Sequence, residues 1–426
     1  MTLVKRLFLR FFLSILILFT GVNYLFGQDS LGQFDWLYTQ GELPSDYVQS
    51  WQERYENTLA STSQGDLKED EYEDFWKIQY YGLDNMIRSG MPSFDDPLTS
   101  YLNEIKDIVL RDLPELASEI RIYLYRRPSV NARALANGLI FIHTGILAHA
   151  QSEAEIAFVV AHEIAHHRQQ HLFKSFQDYQ EMQGGWGSSR LDPFAQRQSM
   201  LRRSRENEIQ ADTVGFKLLK NSPYSSLAAE GALTRLHEGY ISYGRHQLDS
   251  TTLSVEGHRI PSFFFRNDIT PISKEEDYRD ADHSHPNIAR RRAILDSFAS
   301  RDFATEETKG LNLLGEERFL SVRRIARFEQ IREYLLYGYY GDALYTIAGL
   351  KDDYPDSPFL EKSKVQALFG LAGFKAIDDL SEVARSTYQV EGPSQQMHHL
   401  IKQLSREQLV AVALKHTLEA QERHPA

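Results

Sequence analysis

The run EAEIAFVVAHEIAH, residues 153–166, constrains this chain more than any other stretch. Ala154, Ile156, Ala157, Val159, Val160, Ala161, Ile164 and Ala165 make a helix apolar on nearly every side, so the segment should pass through a core. The same segment carries His162, Glu163 and His166. Burying a charged glutamate and two imidazoles without partners is costly. Histidines four apart project from one helical face, so both can reach one metal ion, and Glu163 can address a water on it. A metal with its water would remove the burial cost. The competing reading is a pair of hydrogen-bonded core histidines.

The spacing is the HExxH arrangement of zinc hydrolases, in which one helical turn supplies two ligands and a general base. A catalytic zinc takes a third protein ligand. The continuation with glycine and histidine at set places is excluded, because Gln169 and Leu172 stand there. Thiolate ligation is excluded by the absence of cysteine. A downstream carboxylate is left, in SRENEIQADTVGFKLLK, where Ile209, Val214, Phe216 and Leu218 have helical apolar spacing. Glu208 and Asp212 lie four apart on one face, so Glu208 can bind metal while Asp212 fixes the tautomer of a liganding imidazole. Glu206 is the near competitor, and the segment read alone is a solvated charged helix.

From about residue 100 to 295 the chain resembles the HtpX-like and type I CAAX-prenyl-protease family of zinc metallopeptidases. The likeness rests on ordered motifs. Asn131-Ala132-Arg133-Ala134, Gly138 and LIFIHTG are similar to the family's hairpin ahead of the active-site helix. Ser152-Glu153-Ala154-Glu155 precedes HEIAH, and His171 falls where the family often has a histidine. Glu208-Ile209-Gln210-Ala211-Asp212 resembles its E-x-x-A-D, and His285-Pro286 with Arg291 resembles its H-P…R element. The resemblance implies one Zn2+ per chain, held by His162, His166 and Glu208, with Asp212 behind them.

It further implies hydrolysis of peptide bonds in polypeptide substrates. Glu163 would take the proton of a zinc-activated water and return it to the leaving amine. His285 is the candidate donor to the developing oxyanion, with Arg291 positioning it or the substrate. The alternative for His285 is a surface-loop residue in DADHSHP. Leu139 to Thr144 reads as a strand, and in such folds an exposed edge strand aligns an extended substrate through main-chain hydrogen bonds. His143, His167 and His171 are expected to be structural or solvent-facing.

Residues 1–27 place Lys5, Arg6 and Arg10 before an apolar run from Phe11 to Phe26. That run is shorter than the roughly 20 residues that span a bilayer, and it fits a secretory signal. Leu25-Phe26-Gly27 is not a clean cleavage site, so an uncleaved anchor giving peripheral membrane association stays open. A periplasmic location follows as the expectation, which departs from the membrane-embedded members of the resembled family. The net charge of −12 makes a nucleic-acid partner a poor expectation.

The predicted fold class is α+β, mainly α: a zincin-type metallopeptidase domain with a small β-sheet, then a helical tetratricopeptide-like domain. The expected boundaries are a signal at 1–27, an N-terminal helical extension at 28–95, the HExxH domain at 96–300 and the helical domain at 315–426. Two insertions, Ser175–Arg202 and His246–Asp282, are expected as a plug or lid over the cleft or as plain loops. Leu336 to Pro355 resembles the second half of a tetratricopeptide repeat, with Gly341, Ala343 and Leu344 packing helices and Pro355 closing the unit. Generic helical hairpins are the alternative.

An exported peptidase with such repeats resembles family members that handle outer-membrane proteins. This implies quality control of misfolded or stalled envelope proteins, with the outer-membrane assembly machinery as partner through the repeats. The rival reading is a chaperone or assembly scaffold whose zinc site has low or regulated turnover.

Overall fold

The computed structural model describes residues 37, 39, 42–61, 68–184, 193–242, 244, 246–255, 259–273, 287–299 and 309–423. The leader at 1–27 and His285 lie outside the described residues. Two compact units divide the chain: Leu37–Tyr240 with Glu275–Ala326, and Ile241–Lys274 with Arg327–Ala426.

In the first unit, numbering only helices of eight residues or more, α1 (Trp51–Ser61) and α2 (Glu69–Arg88) precede β1 (Pro92–Ser93) and α3 (Pro97–Val109). Asp96 caps α3, accepting from the backbone N–H groups of Leu98 and Thr99 at 2.9 and 3.0 Å, and Pro97 begins the first turn. Strands β2 (Arg121–Tyr125), β3 (Ala132–Ala134) and β4 (Leu139–His143) complete a four-stranded sheet of order β1-β2-β4-β3. β2 runs parallel to β4, and β3 pairs antiparallel with β4, with Arg133 opposite Phe141. The expected hairpin is present. Gly138 turns it at φ +79°, where a Cβ would also strike the Glu119 carbonyl at 2.5 Å.

Side chains alternate across a strand, and here both faces are covered. Ile122, Leu124, Ile140 and Ile142 enter one core together with α3 and the apolar run of residues 154–164. Tyr123, Tyr125, Leu139 and Phe141 enter a second core, against Tyr72, Phe75, Trp76 and Tyr80 of α2. This double burial explains why Leu139–His143 alternates poorly between apolar and polar residues. The N-terminal extension is therefore one layer of the same unit as the sheet, at roughly 1.5–3 kcal/mol for each fully buried large side chain.

The central helix α4 (Glu153–Arg168) is buried from Glu153 through Ala165. Ser152 caps it, its Oγ accepting from the Glu155 N–H at 3.3 Å. Glu153 is wholly buried and accepts from the hydroxyls of Tyr101 and Tyr224 at 2.6 and 2.5 Å and from the N–H groups of Leu313 and Leu314 at 3.0 and 3.1 Å.

Helices α5 (His171–Gly184), α6 (Pro193–Asn221), α7 (Ala228–His237) and α8 (Ile288–Ala299) follow. The first insertion is thus largely helical, contributing the end of α5 and the start of α6, with an Arg203–Asp178 ion pair between them. Gly215 lets α6 lie directly on α4, since a Cβ there would come within 2.9 Å of the His162 backbone.

The second unit takes in the end of α9 (Glu316–Leu336) and then α10 (Tyr340–Leu350), α11 (Pro358–Ala376), α12 (Gln395–Gln403) and α13 (Arg406–Arg423). Ala343 and Leu344 are buried as expected, Gly341 packs against the His398 ring, and α10 ends before Pro355. Pro358 opens α11 behind the Ser357 cap.

The second insertion differs from a free loop or lid. Its described residues are built into this helical unit: Leu248, Leu253 and Ile260 join its core, and His246 stacks on Tyr345 at 4.0 Å. Gln396 exchanges two hydrogen bonds with the Arg266 backbone at 2.9 and 2.7 Å. The unit boundary accordingly falls at Ala326/Arg327, inside α9, and the helical unit includes residues 241–274 besides the C-terminal stretch. No helix of the described residues is long and apolar enough to cross a membrane.

Candidate metal centre and active site

His162 and His166 leave α4 on one face, and Glu208 of α6 meets them. The two Nε2 atoms are 3.1 Å apart. Glu208 Oε2 lies 3.6 Å from the first and Oε1 3.4 Å from the second. Two donors of a tetrahedral zinc at 2.0–2.1 Å stand about 3.3 Å apart, so the three groups have the spacing of a ligand set. All ligand atoms of this group fall within 4.8 Å of one another. Glu206 is exposed whereas Glu208 is buried, which separates the two carboxylates that the spacing alone leaves open.

Each imidazole is also held from behind. The His162 Nδ1 lies 3.0 Å from Asp212 Oδ1. Asp212 is fully buried and receives two hydrogen bonds of 2.7 Å from the Nε and Nη2 of Arg291. Burial by itself would raise that carboxyl, but Arg291 and then His162 outweigh it and hold it down to about 2. For His162, burial opposes the charged ring, and the carboxylates of Asp212 and Glu208 overcome it and push the ring up to about 10. The carboxylates that draw a proton to His162 would draw a divalent cation for the same electrostatic reason, while burial and the His162 charge push His166 down to about 3.

His166 is held by His171. Their Nδ1 atoms are 2.9 Å apart, and His171 Nε2 lies 2.9 Å from Gln210 Oε1. If the Nε2–H of His171 donates to Gln210, its Nδ1 accepts from the Nδ1–H of His166, which leaves the His166 Nε2 lone pair facing Glu208. His171, expected to be structural or solvent-facing, lies directly on a candidate ligand. Gln170 adopts φ +53°, folding the chain back after α4 so that His171 meets His166.

The other singled-out histidines stay away from the group. His167 Nε2 is 3.7 Å from Glu119. His143 binds Ser129 Oγ at 2.8 Å, and burial with the nearby Arg127 charge lowers it to about 4.

The group opens into a cleft of about 490 Å³ whose wall includes Val130–Ala134, Glu163 and Arg291. The strand expected as the edge, Leu139–Thr144, is instead β4, which ends at His143 and is flanked by β2 and β3; β3 is the last strand on this side, so the cleft runs along its edge. Arg291 enters the site through Asp212, while His285 lies outside the described residues. His237, at the end of α7, was not singled out from sequence; it lines the cleft with a buried Nε2 that makes no hydrogen bond among the described residues.

Residues 103–299 match the profile of peptidase family M48. This segment belongs to that family. The family's members are zinc metallopeptidases, in keeping with the two histidines and one glutamate gathered here. The chain is 26% identical over 245 residues to a putative beta-barrel assembly-enhancing protease of Vibrio cholerae, covering 53% of this chain and 51% of that protein. It is 27% identical over 170 residues to the beta-barrel assembly-enhancing protease of Escherichia coli strain K12, covering 35% of each, and 24% identical over 170 residues to that of Yersinia pestis. The chain thus spans about half, or less, of the length of these M48 relatives.

Proposed function

We propose that the chain is a zinc-dependent endopeptidase of the bacterial envelope, exported to the periplasm, that hydrolyses peptide bonds in misfolded or stalled envelope proteins and so serves outer-membrane protein assembly. The observation that carries the chemistry is the group of half-buried His166 with buried His162 and Glu208, sharing one cleft with Glu163 and a sheet edge. The assembly role is supported by the names of the relatives.

One Zn2+ per chain would be held by His162, His166 and Glu208. When bound, the ion supplies Lewis acidity, polarising a carbonyl and making water a nucleophile near neutral pH. Glu163 takes the proton from the attacking water and passes it to the leaving amine. Asp212, locked by Arg291, and His171, locked by Gln210, keep both imidazoles in the tautomer that turns Nε2 to the cleft. His285 is assigned the donor to the oxyanion. The free edge of β3 aligns the extended substrate by main-chain hydrogen bonds, which makes recognition tolerant of sequence.

The helical unit, read as tetratricopeptide-like, is assigned the contact with the assembly machinery, and residues 1–27 the export signal or a peripheral membrane anchor. Glu163→Gln tests the mechanism. It should keep its zinc and lose proteolysis of unfolded substrate by roughly a hundred- to ten-thousand-fold. Unchanged cleavage by that variant would remove Glu163 from the mechanism, and repair of an envelope defect by it would point to a scaffold instead.

A further inference from the structure

A second cavity, of about 480 Å³, adjoins the metal cleft and shares Ala134, His166 and Leu172 with it. Its wall is aromatic: Tyr72, Phe75 and Trp76 of α2 on one side and Phe173 of α5 on another. Phe75 and Phe173 meet edge to face with centroids 5.1 Å apart, and Trp76 stacks on Tyr80 at 5.6 Å, so the wall is preformed. At its rim Glu119 and Arg168 carry opposite charges, which offers no net attraction to a charged guest. Trp76 is only 9% exposed, yet its Nε1 is buried without a hydrogen-bond partner among the described residues.

The cavity also follows the substrate's path. The metal cleft is bounded by Val130–Ala134, and the second cavity by Ala134–Ala136, so one extended chain on the edge of β3 passes both in succession. Antiparallel addition, the slightly more stable pairing, makes that chain run from the Ala136 end towards Asn131. Its residues therefore reach the aromatic cavity before the metal cleft.

We propose that this cavity is a specificity subsite that takes a large apolar or aromatic side chain of the polypeptide substrate, on the N-terminal side of the scissile bond. The inference rests on the peptidase reading above and gives the N-terminal extension a part in substrate choice that the KEDEYEDFW run does not disclose by itself.

The test uses the full, zinc-loaded chain and synthetic peptides varied among Ala, Leu, Phe and Asp at each of four positions on either side of one cleavable bond, with cut sites read by mass spectrometry. At one upstream position Leu and Phe should exceed Ala in kcat/KM by roughly tenfold or more, with Asp poorest. Ala136→Phe, which fills the cavity from just beyond β3, should shrink that preference to about twofold, read as the ratio of kcat/KM between the Phe and Ala peptides cut by the same enzyme. A wild-type profile without upstream preference, a preference only downstream, or an Ala136→Phe enzyme that discriminates as before would overturn the subsite while leaving the peptidase intact. A zinc-loaded wild type that cuts none of the peptides would overturn the peptidase reading itself, and the subsite with it.

Discussion

Arg291 grips Asp212 with two hydrogen bonds of 2.7 Å, and the carboxylate so fixed lies 3.0 Å from the Nδ1 of His162. Three helices, α8, α6 and α4, are tied together by this chain of contacts at the point where the metal would sit. Arg291 thereby acts on the metal site through a buried carboxylate. Asp212→Asn should weaken zinc binding by roughly 10- to 100-fold, read by competition with a chelator. Arg291→Leu should do more damage, because it strands a buried carboxylate: a loss of about 3–5 kcal/mol in unfolding free energy is expected. A loss below about 1 kcal/mol in Arg291→Leu would argue against the pairing.

His171 supports the second ligand in the same manner. His171→Ala should loosen zinc by about 10- to 100-fold, while Gln210→Leu, one step further out, should have a smaller effect of the same sign. A cobalt-substituted sample gives an independent readout, since a reoriented His166 would alter the visible absorption of the metal. An unchanged spectrum and affinity in His171→Ala would reduce that residue to packing.

Glu153 anchors the start of the active-site helix as an acceptor for four donors. Tyr224→Phe removes one bond to a charged group and should cost about 1.5–3 kcal/mol by denaturant unfolding. Glu153→Leu leaves all four donors without their acceptor and should cost more than any single-donor deletion. Zinc affinity of the folded fraction should stay near wild type in Tyr224→Phe, which separates this contact from the ligand set.

His416 predicts how the helical unit responds to acid. It is 8% exposed, and burial with the neighbouring Lys364 charge lowers it from 6.5 to about 3. The unfolded chain then takes up the proton first as pH falls. Its contribution to stability is full above about 6.5 and drains away towards pH 3, by at most about 1.4 kcal/mol per pH unit. Melting of the helical unit at pH 7.5, 5.5 and 4.5 should show that slope, and His416→Gln should flatten it. An equal slope in the variant would place the acid sensitivity elsewhere.

The metal site was largely legible in the chain because its parts obey local helical spacing. His162 with His166, and Glu208 with Asp212, are pairs four apart, and the helical period sets each pair on one face. The hairpin announced itself through Gly138. Other features depended on residues distant in sequence. The insertion from His246 onward carries turn-forming polar residues typical of a loop, yet Leu248, Leu253 and Ile260 join a core that begins only at Tyr334. Ser175 to Arg202 reads as polar because its helices lie on a surface, where one apolar stripe suffices.

By itself, then, the amino-acid sequence determined the candidate set: two imidazoles and a carboxylate on one turn, and carboxylates on another helix able to complete a metal site. Periodicity is a short-range property, and short-range sterics and hydrogen bonding are enough to produce it. Tertiary packing alone decided between Glu208 and Glu206, turned Arg291 onto Asp212, brought His171 under His166, and set an aromatic wall from the N-terminal extension beside the sheet edge. Those choices depend on which surfaces are buried together, and burial is settled by the whole chain at once.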